Sequence, residues 1–208
     1  MEKFDTEMTE EAIMEKYDGA KASEELEEFL LSKYVTFEIV DGKICVKSNS
    51  TRHDIVKNGL SFFINEEMEK TGIKAKSCIA MHILRGENFG EDFLIPDISV
   101  LGAGKGTRGS NGMYLGTPLL VMELMSSERE DAIYRKRILY EEMGVPEYWI
   151  VDLDRFCILR SVLDNGSYGN ESVVYDEGII THHLCGLSLA VKDIFAVVKE
   201  ELEFYFGK

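Results

Sequence analysis

No stretch of eighteen or so uncharged apolar residues occurs anywhere in the 208-residue chain, and the N-terminus opens on acidic residues instead of a basic segment leading into an apolar one. A membrane-spanning helix and a secretory leader are therefore not expected; a cytoplasmic protein without membrane partners is. Cysteine is also sparse. Cys45, Cys78, Cys157 and Cys185 are widely scattered and form no CxxC pair, which argues against a disulfide framework and against a thiolate zinc site. Positive charge is in short supply as well: 23 Lys and Arg stand against 38 Asp and Glu, a formal net charge of −15. Broad nucleic-acid affinity rests on neutralising phosphates with Lys and Arg, so this balance speaks against non-specific binding.

What is present is enough apolar material, 45% of residues, to bury one substantial core, and the length favours one compact unit. The negative charge is unevenly spread. Residues 1–31 hold eleven acids against Lys3, Lys16 and Lys21, over half of the total excess. Between 101 and 140 the balance reverses: Lys105, Arg108, Arg129, Arg135, Lys136 and Arg137 outnumber Glu123, Glu128, Glu130 and Asp131. An acidic protein of this kind can still present one basic face.

The patterning predicts a mixed α/β fold. The first 34 residues read as an acidic helical extension of two short helices, broken near Asp18-Gly19, ahead of a domain spanning 35–208. Val35 to Lys47 predicts a hairpin, because Asp41-Gly42 suits the positive φ angles of a type I′ turn. Ser48 to Thr51 supplies capping residues for a helix of about twenty residues, ending at Gly72, with His53, Val56, Leu60 and Phe63 on one stripe. Strands are predicted over Ile73 to Leu84 and Phe93 to Val100, the latter interrupted by Pro96-Asp97, then a long polar loop from Gly102 to Thr117. Leu119 to Met125 reads as a buried central strand, Glu128 to Met143 as a helix stopped by Gly144 and Pro146, and Tyr148 to Asp152 as another apolar strand. That order is a βαβ unit, which implies a parallel pair. Strands at Cys157 to Leu163, Ser172 to Tyr175 and Ile179 to Leu184, around an Asp164-Asn165-Gly166 turn, precede a final amphipathic helix from Val191.

Three side chains stand out chemically. Glu123 sits in Leu-Leu-Val-Met-Glu-Leu-Met, and a carboxylate buried there is costly unless it meets a cation, a proton or hydrogen-bond donors. The alternative is a strand that ends early and leaves Glu123 solvated at its tip. Asp97 shares a strand face with Phe93 and Ser99; alone it reads as a turn residue, but with Glu123 it is a candidate second carboxylate for Mg²⁺. Helix phase sets Ile133, Lys136, Tyr140 and Met143 on one stripe, so Lys136 points inward, either toward a partner or with its stem packed and its ammonium snorkelling to water.

Together, Phe37-Glu38-Ile39-Val40-Asp41-Gly42-Lys43, Arg52-His53, Pro96-Asp97-Ile98-Ser99-Val100, Pro118-Leu-Leu-Val-Met-Glu-Leu-Met-Ser126, Lys136-Arg-Ile-Leu-Tyr140 and Gly144-Val-Pro-Glu-Tyr-Trp-Ile-Val-Asp152 resemble the Uma2 family. That family consists of restriction-endonuclease-like proteins of the PD-(D/E)XK nuclease superfamily. The resemblance covers about residues 35 to 198, including a closing Gly186-Leu-Ser-Leu. It implies a central mixed β-sheet flanked by helices and a metal-dependent endonuclease acting on nucleic-acid phosphodiesters, with DNA as the expected substrate. It casts Asp97, Glu123 and the Leu124 carbonyl as ligands for Mg²⁺ or Mn²⁺, and Lys136 as the catalytic lysine moved onto a helix. Glu38, His53 and Tyr140 become supporting residues around them. Cutting both strands favours a homodimer. The acidic first 34 residues depart from the family's short start, and Asp131, five residues before Lys136, inherits no role. The competing reading is an inactive nuclease-like fold that serves as a binding or regulatory protein.

Other signals carry less. Gly104-Lys-Gly106-Thr-Arg-Gly109 matches GxGxxG, but Asn111-Gly112 and Thr117-Pro118 follow where a helix should start, so it reads as a basic loop with Lys105, Arg108 and the later Arg135 as phosphate contacts. His182 and His183 fall on opposite faces of a predicted strand, which excludes joint metal ligation, and no zinc is expected. Tyr148-Trp149 reads as core packing, with base stacking as the alternative.

Overall fold

The computed structural model describes residues 8–47, 51–84, 92–108, 113–125 and 130–207. Their element order is α1 (Glu10–Tyr17), α2 (Glu24–Ser32), β1 (Phe37–Val40), β2 (Lys43–Val46), α3 (Thr51–Lys70), β3 (Ala75–Ile79), β4 (Ile83–Leu84), β5 (Phe93–Leu94), β6 (Ile98–Gly102) and β7 (Gly106–Arg108). There follow β8 (Tyr114–Gly116), β9 (Leu120–Met125), α4 (Glu130–Glu142), β10 (Glu147–Asp152), β11 (Cys157–Asp164), β12 (Ser167–Tyr168), β13 (Ser172–Tyr175), β14 (Ile179–Thr181), β15 (Ser188–Ala190) and α5 (Val191–Phe206). The chain divides into two compact units, the smaller made of Met1–Asn49, His82–Ile95 and Arg108–Leu115, the larger of the remainder.

In the smaller unit the hairpin β1–β2 turns through Asp41 at φ 51° and Gly42 at φ 68°, the left-handed pair a type I′ turn requires. The Asp92 carboxylate fixes that turn by accepting from the Asp41 and Gly42 amides at 3.1 and 2.9 Å. Ser23 caps α2, its hydroxyl accepting from the Leu26 amide at 3.3 Å. Helices α1 and α2 then bury Ile13, Leu26 and Leu30 with Phe37, Ile39 and Ile44 of the hairpin. Strand β5 joins β1 and β4 antiparallel, and β4 continues to β8 in parallel.

The larger unit is built on a sheet of order β12-β11-β10-β9-β6-β3, with β13 also on β11. Strands β9 and β10 run parallel, joined by α4, and their neighbours in this sheet are antiparallel. Both central strands are buried along their whole length, as expected of a pair covered on two faces. One face carries Ile98, Val100, Leu120, Met122 and Leu124, which pack with Val56, Leu60 and Ile64 of α3 and with Ile194 and Val198 of α5. Alternation turns Ser99, Val121, Glu123 and Tyr148 to the other face, where α4 lies and the Tyr140 and Tyr148 rings meet at 5.3 Å. The architecture is thus a mixed α/β fold with a central mixed sheet flanked by helices.

Three local expectations change and one is met. The run Ile73 to Leu84 is two strands, because Ala80 at φ 50° ends β3 and the chain passes into the smaller unit. The interruption expected at Pro96-Asp97 separates β5 from β6, since Pro96 has no N–H for a ladder. The loop from Gly102 to Thr117 contains the short strands β7 and β8. The strand expected to reach Leu184 stops at Thr181 and pairs with β15, Thr181 opposite Ser188. The caps expected at 48–50 and most of the polar turn before Phe93 lie outside the described residues.

Leu60 is fully buried between α3 and the sheet, so Leu60→Ala should lower the unfolding free energy by about 2–5 kcal/mol. Urea titration checks this as a lower midpoint at unchanged slope.

Candidate active site

Glu123 is the fourth residue of β9, which lies between β10 and β6, and no part of it is exposed. A lone carboxylate in such a place would carry a large desolvation penalty. Helix α4 supplies the compensation from one stripe: Lys136 Nζ donates to Glu123 Oε1 at 2.9 Å, and Tyr140 Oη donates to the same oxygen at 3.0 Å. Lys136 and Tyr140 are one helical turn apart, so a single helix phase delivers both. Lys136 is itself only 5% exposed, which rules out the snorkelling arrangement.

Asp97 immediately precedes β6. The antiparallel register Ile98 to Met122 and Ser99 to Val121, carried back by one residue, sets Asp97 opposite Glu123, and directly opposed residues share a sheet face. Asp97 Oδ2 accepts from the Leu124 amide at 2.9 Å and pairs with His53 Nε2, from the first turn of α3, at 3.1 Å. The Met125 carbonyl accepts from the Leu153 amide on the β10 side, so the backbone of Leu124 turns the other way, toward β6 and Asp97. Its carbonyl turns to the same side as its amide.

Tyr148 closes the inner wall. Its hydroxyl donates to the Ile133 carbonyl at 3.0 Å, and burial first, then the negative charges of Glu123 and Asp97, hold its phenol well above its ordinary pKa. The two carboxylates therefore act on one neighbour. The structure brings Asp97, Glu123, Leu124, Lys136, Tyr140 and His53 together; Lys105 and Arg135 are exposed, and the Arg108 and Asp131 side chains lie outside the described residues. Arg137 is committed elsewhere, donating to Ser161 Oγ and the Gly169 carbonyl, each at 3.0 Å. Glu38 belongs to the smaller unit, where its carboxylate accepts from the Ile95 amide at 2.6 Å and lies 3.7 Å from Lys47 Nζ. Ser99, buried on the Asp97 face with no hydrogen-bond partner for its hydroxyl, was legible only as a same-face neighbour of Asp97.

A second buried carboxylate escaped sequence reasoning. Glu147, fully buried in β10, accepts from Arg160 Nε and Nη2 at 2.8 Å, from Trp149 Nε1 at 2.7 Å, and from the His183 amide and Nδ1 at 2.7 and 2.6 Å. Its signal was weaker than that of Glu123, because Glu147 is the first residue of β10 and precedes the run Tyr148 to Asp152 that read as a strand. The opposite-face expectation for His182 and His183 is corrected here. Both lie past the end of β14, in a turn that stacks their rings 5.5 Å apart, and their nitrogens stand with a Glu147 oxygen within 4.8 Å of one another. In that cluster His182 has no lone pair to offer a metal. The Leu119 carbonyl 2.8 Å from His182 Nε2 can only accept, so Nε2 carries the proton, and Nδ1 accepts from the Leu184 and Cys185 amides at 3.2 Å. Burial holds the His182 pKa down, consistent with a neutral ring. For Glu147 burial pushes the pKa up, but the hydrogen bonds from Arg160, His183 and Trp149 outweigh it and bring it to about 2.

Comparison with known proteins gives a family and a similar fold. Residues 23–192 match the profile of the Uma2 family, described as "Putative restriction endonuclease". Among solved structures, a putative nuclease belonging to DUF820 from Anabaena variabilis ATCC 29413 is similar with a TM-score of 0.64 at 19% identity, over 78% of this chain and 91% of that one. That likeness concerns the fold. No curated protein matches the chain.

Two predictions follow from the buried charges. Lys136→Met strands the Glu123 carboxylate and should cost about 3–5 kcal/mol in metal-free buffer; Glu123→Gln added to it should return part of the loss in a double-mutant cycle. Because the folded-state pKa of Glu147 is depressed from 4.5 to about 2, its contribution is complete above pH 4.5 and disappears as pH falls toward 2. Glu147→Gln should therefore flatten the stability profile across that window. At neutral pH it should cost about 3 kcal/mol, the lower end for a broken buried pair, since Arg160 keeps 23% of its side chain exposed. Chemical denaturation at a series of pH values measures both effects.

Proposed function

Because the chain belongs to the Uma2 family of putative restriction endonucleases, we propose that it is a cytoplasmic, Mg²⁺- or Mn²⁺-dependent endonuclease that hydrolyses DNA phosphodiesters as a homodimer. In this reading 35–208 is the restriction-endonuclease-like domain and the acidic 1–34 an extension of it. The observation that carries the proposal is the fully buried Glu123, opposite Asp97 across the β6–β9 pair, with the Lys136 ammonium 2.9 Å away. A purely structural buried ion pair has no need of a second carboxylate on the same face.

The donor set fits a hard divalent cation: two carboxylates from adjacent strands and a backbone carbonyl turned to the same side, all oxygen. Asp97, Glu123 and the Leu124 carbonyl would hold it, and when bound it supplies Lewis-acid stabilisation of phosphate charge and a water of lowered pKa. The protein's own groups do the rest. His53 and the Leu124 amide fix the Asp97 carboxylate through one oxygen, Oδ2. Tyr140 fixes Glu123 in the same way through Oε1. Lys136, held by Glu123 in a water-poor setting, orients the attacking water and offsets the charge that develops on the phosphate, where a preorganised cation contributes most. Lys105, Arg108 and Arg135 contact flanking phosphates.

The net charge of −15 favours one rival, a nuclease-like fold that binds a partner without cleaving. Incubation of supercoiled, linear and single-stranded DNA, and of RNA, with Mg²⁺, Mn²⁺ or EDTA separates the two. Metal-dependent cleavage of DNA by the wild type, reduced about 100-fold or more in Asp97→Ala and in Lys136→Met, is the expected result. Equal cleavage by wild type and Asp97→Ala would refute the site assignment, and no cleavage of any substrate would favour the binding protein.

A further inference from the structure

The apolar stripe of α5 runs past the surface it covers. Val191, Ile194, Phe195 and Val198 are buried, and the same 3.6-residue period continues through Leu202 to Tyr205. There the stripe emerges: Tyr205 is 58% exposed, and Phe204 and Phe206 beside it are 81% and 56% exposed. Phe62 on α3, 67% exposed, shares a cleft with Tyr205. On the other flank Phe206 and Phe156, the latter 55% exposed, line a groove of about 770 Å³ floored by Phe195 and Leu202. The two helices are pressed close at this end, since a Cβ added to Gly59 would stand 2.6 Å from Glu201 Cγ.

A fully buried aromatic side chain covers about 150–250 Å², so five rings exposed to this degree leave roughly 600 Å² of apolar surface in water. That is the upper end of the largest patch on a typical monomer, about 300–600 Å², and most of the roughly 800 Å² per partner that a stable interface takes. We infer that this face, the last two turns of α5 with Phe62 and Phe156, is where a second copy of the chain docks across a two-fold axis.

Charge excludes the competing polyanion. Helix α5 sets Asp193, Glu200, Glu201 and Glu203 against Lys192 and Lys199, a poor surface for nucleic acid. The same residues suit self-association. Lys199 and Glu203 are exposed, one helical turn apart and paired with each other at 3.7 Å, and they stand at equal distances along the helix axis from the level of residue 201. An antiparallel crossing of two α5 helices near that residue places Lys199 of each copy against Glu203 of the other, the self-complementarity that an isologous contact demands. The inference specifies the face of the dimer proposed above, and its test reads mass, so it stands or falls separately from cleavage.

Light scattering and sedimentation velocity of the full chain at micromolar concentration should give twice the 23.6 kDa chain mass. Tyr205→Glu and Phe62→Glu should each weaken association about thirty-fold or more, with the circular dichroism of the folded chain unchanged because both rings are exposed. Lys199→Glu should weaken the dimer and Lys199→Glu with Glu203→Lys should restore it, a rescue that general surface damage would not produce. A monomeric wild type overturns the inference, as does a dimer that Tyr205→Glu leaves intact. A wild-type monomer that sediments with phosphatidylglycerol vesicles would also overturn it and assign the aromatics to a membrane surface.

Discussion

The rest of the larger unit depends on how one carboxylate is buried. Glu123 lies in a strand covered on both faces, and its Oε1 is met by an ammonium and a phenol from the same helix. A rotation of α4 by one residue, about 100°, would withdraw Lys136 and Tyr140 together. The phase of α4, its crossing between the parallel strands β9 and β10, and the pairing of Glu123 with Lys136 and Tyr140 are therefore one constraint. Replacing a buried ion pair with apolar residues of similar volume is often neutral or stabilising. Stability alone gives little reason for an acid and a lysine at this place, and the chemistry proposed for them gives one.

The sheet separates two tasks by its faces. Ile98, Leu120, Met122 and Leu124 build the core with α3 and α5, while the alternate positions carry Asp97, Ser99 and Glu123. Register is decisive, because a one-residue slip of β6 against β9 would send Asp97 to the apolar face and Ile98 toward Glu123. Pro96 ends the preceding strand, and the Leu124 amide holds Asp97 through its side chain, so the ladder is replaced at that point by a bond that also aims the carboxylate.

Glu147 shows what a closed carboxylate looks like. It sits one strand over and on the opposite face, and a bidentate guanidinium, an indole, an imidazole and a backbone amide surround it. Those donors tie the turn after β14 to the sheet. The two histidines come within metal-ligating distance there, yet both His182 nitrogens, His183 Nδ1 and the carboxylate oxygens are engaged in internal hydrogen bonds, so proximity alone does not make a metal centre.

Much of this was legible in the sequence, wherever the physics is local. The type I′ turn at Asp41-Gly42 follows from two residues that tolerate positive φ, the β9–α4–β10 unit from a change of hydrophobic period, and the inward aim of Glu123 and Lys136 from burial and helix phase. Asp97 was different: on its own it read as a turn residue, and only family resemblance paired it with Glu123. The His53–Asp97 contact, the donors around Glu147, the break at Ala80 and the exposed end of α5 were decided by tertiary structure. Each depends on strand register or on helix packing between residues far apart in the chain, and periodicity, which reports only which way a side chain points from its own element, carries no information about what stands opposite.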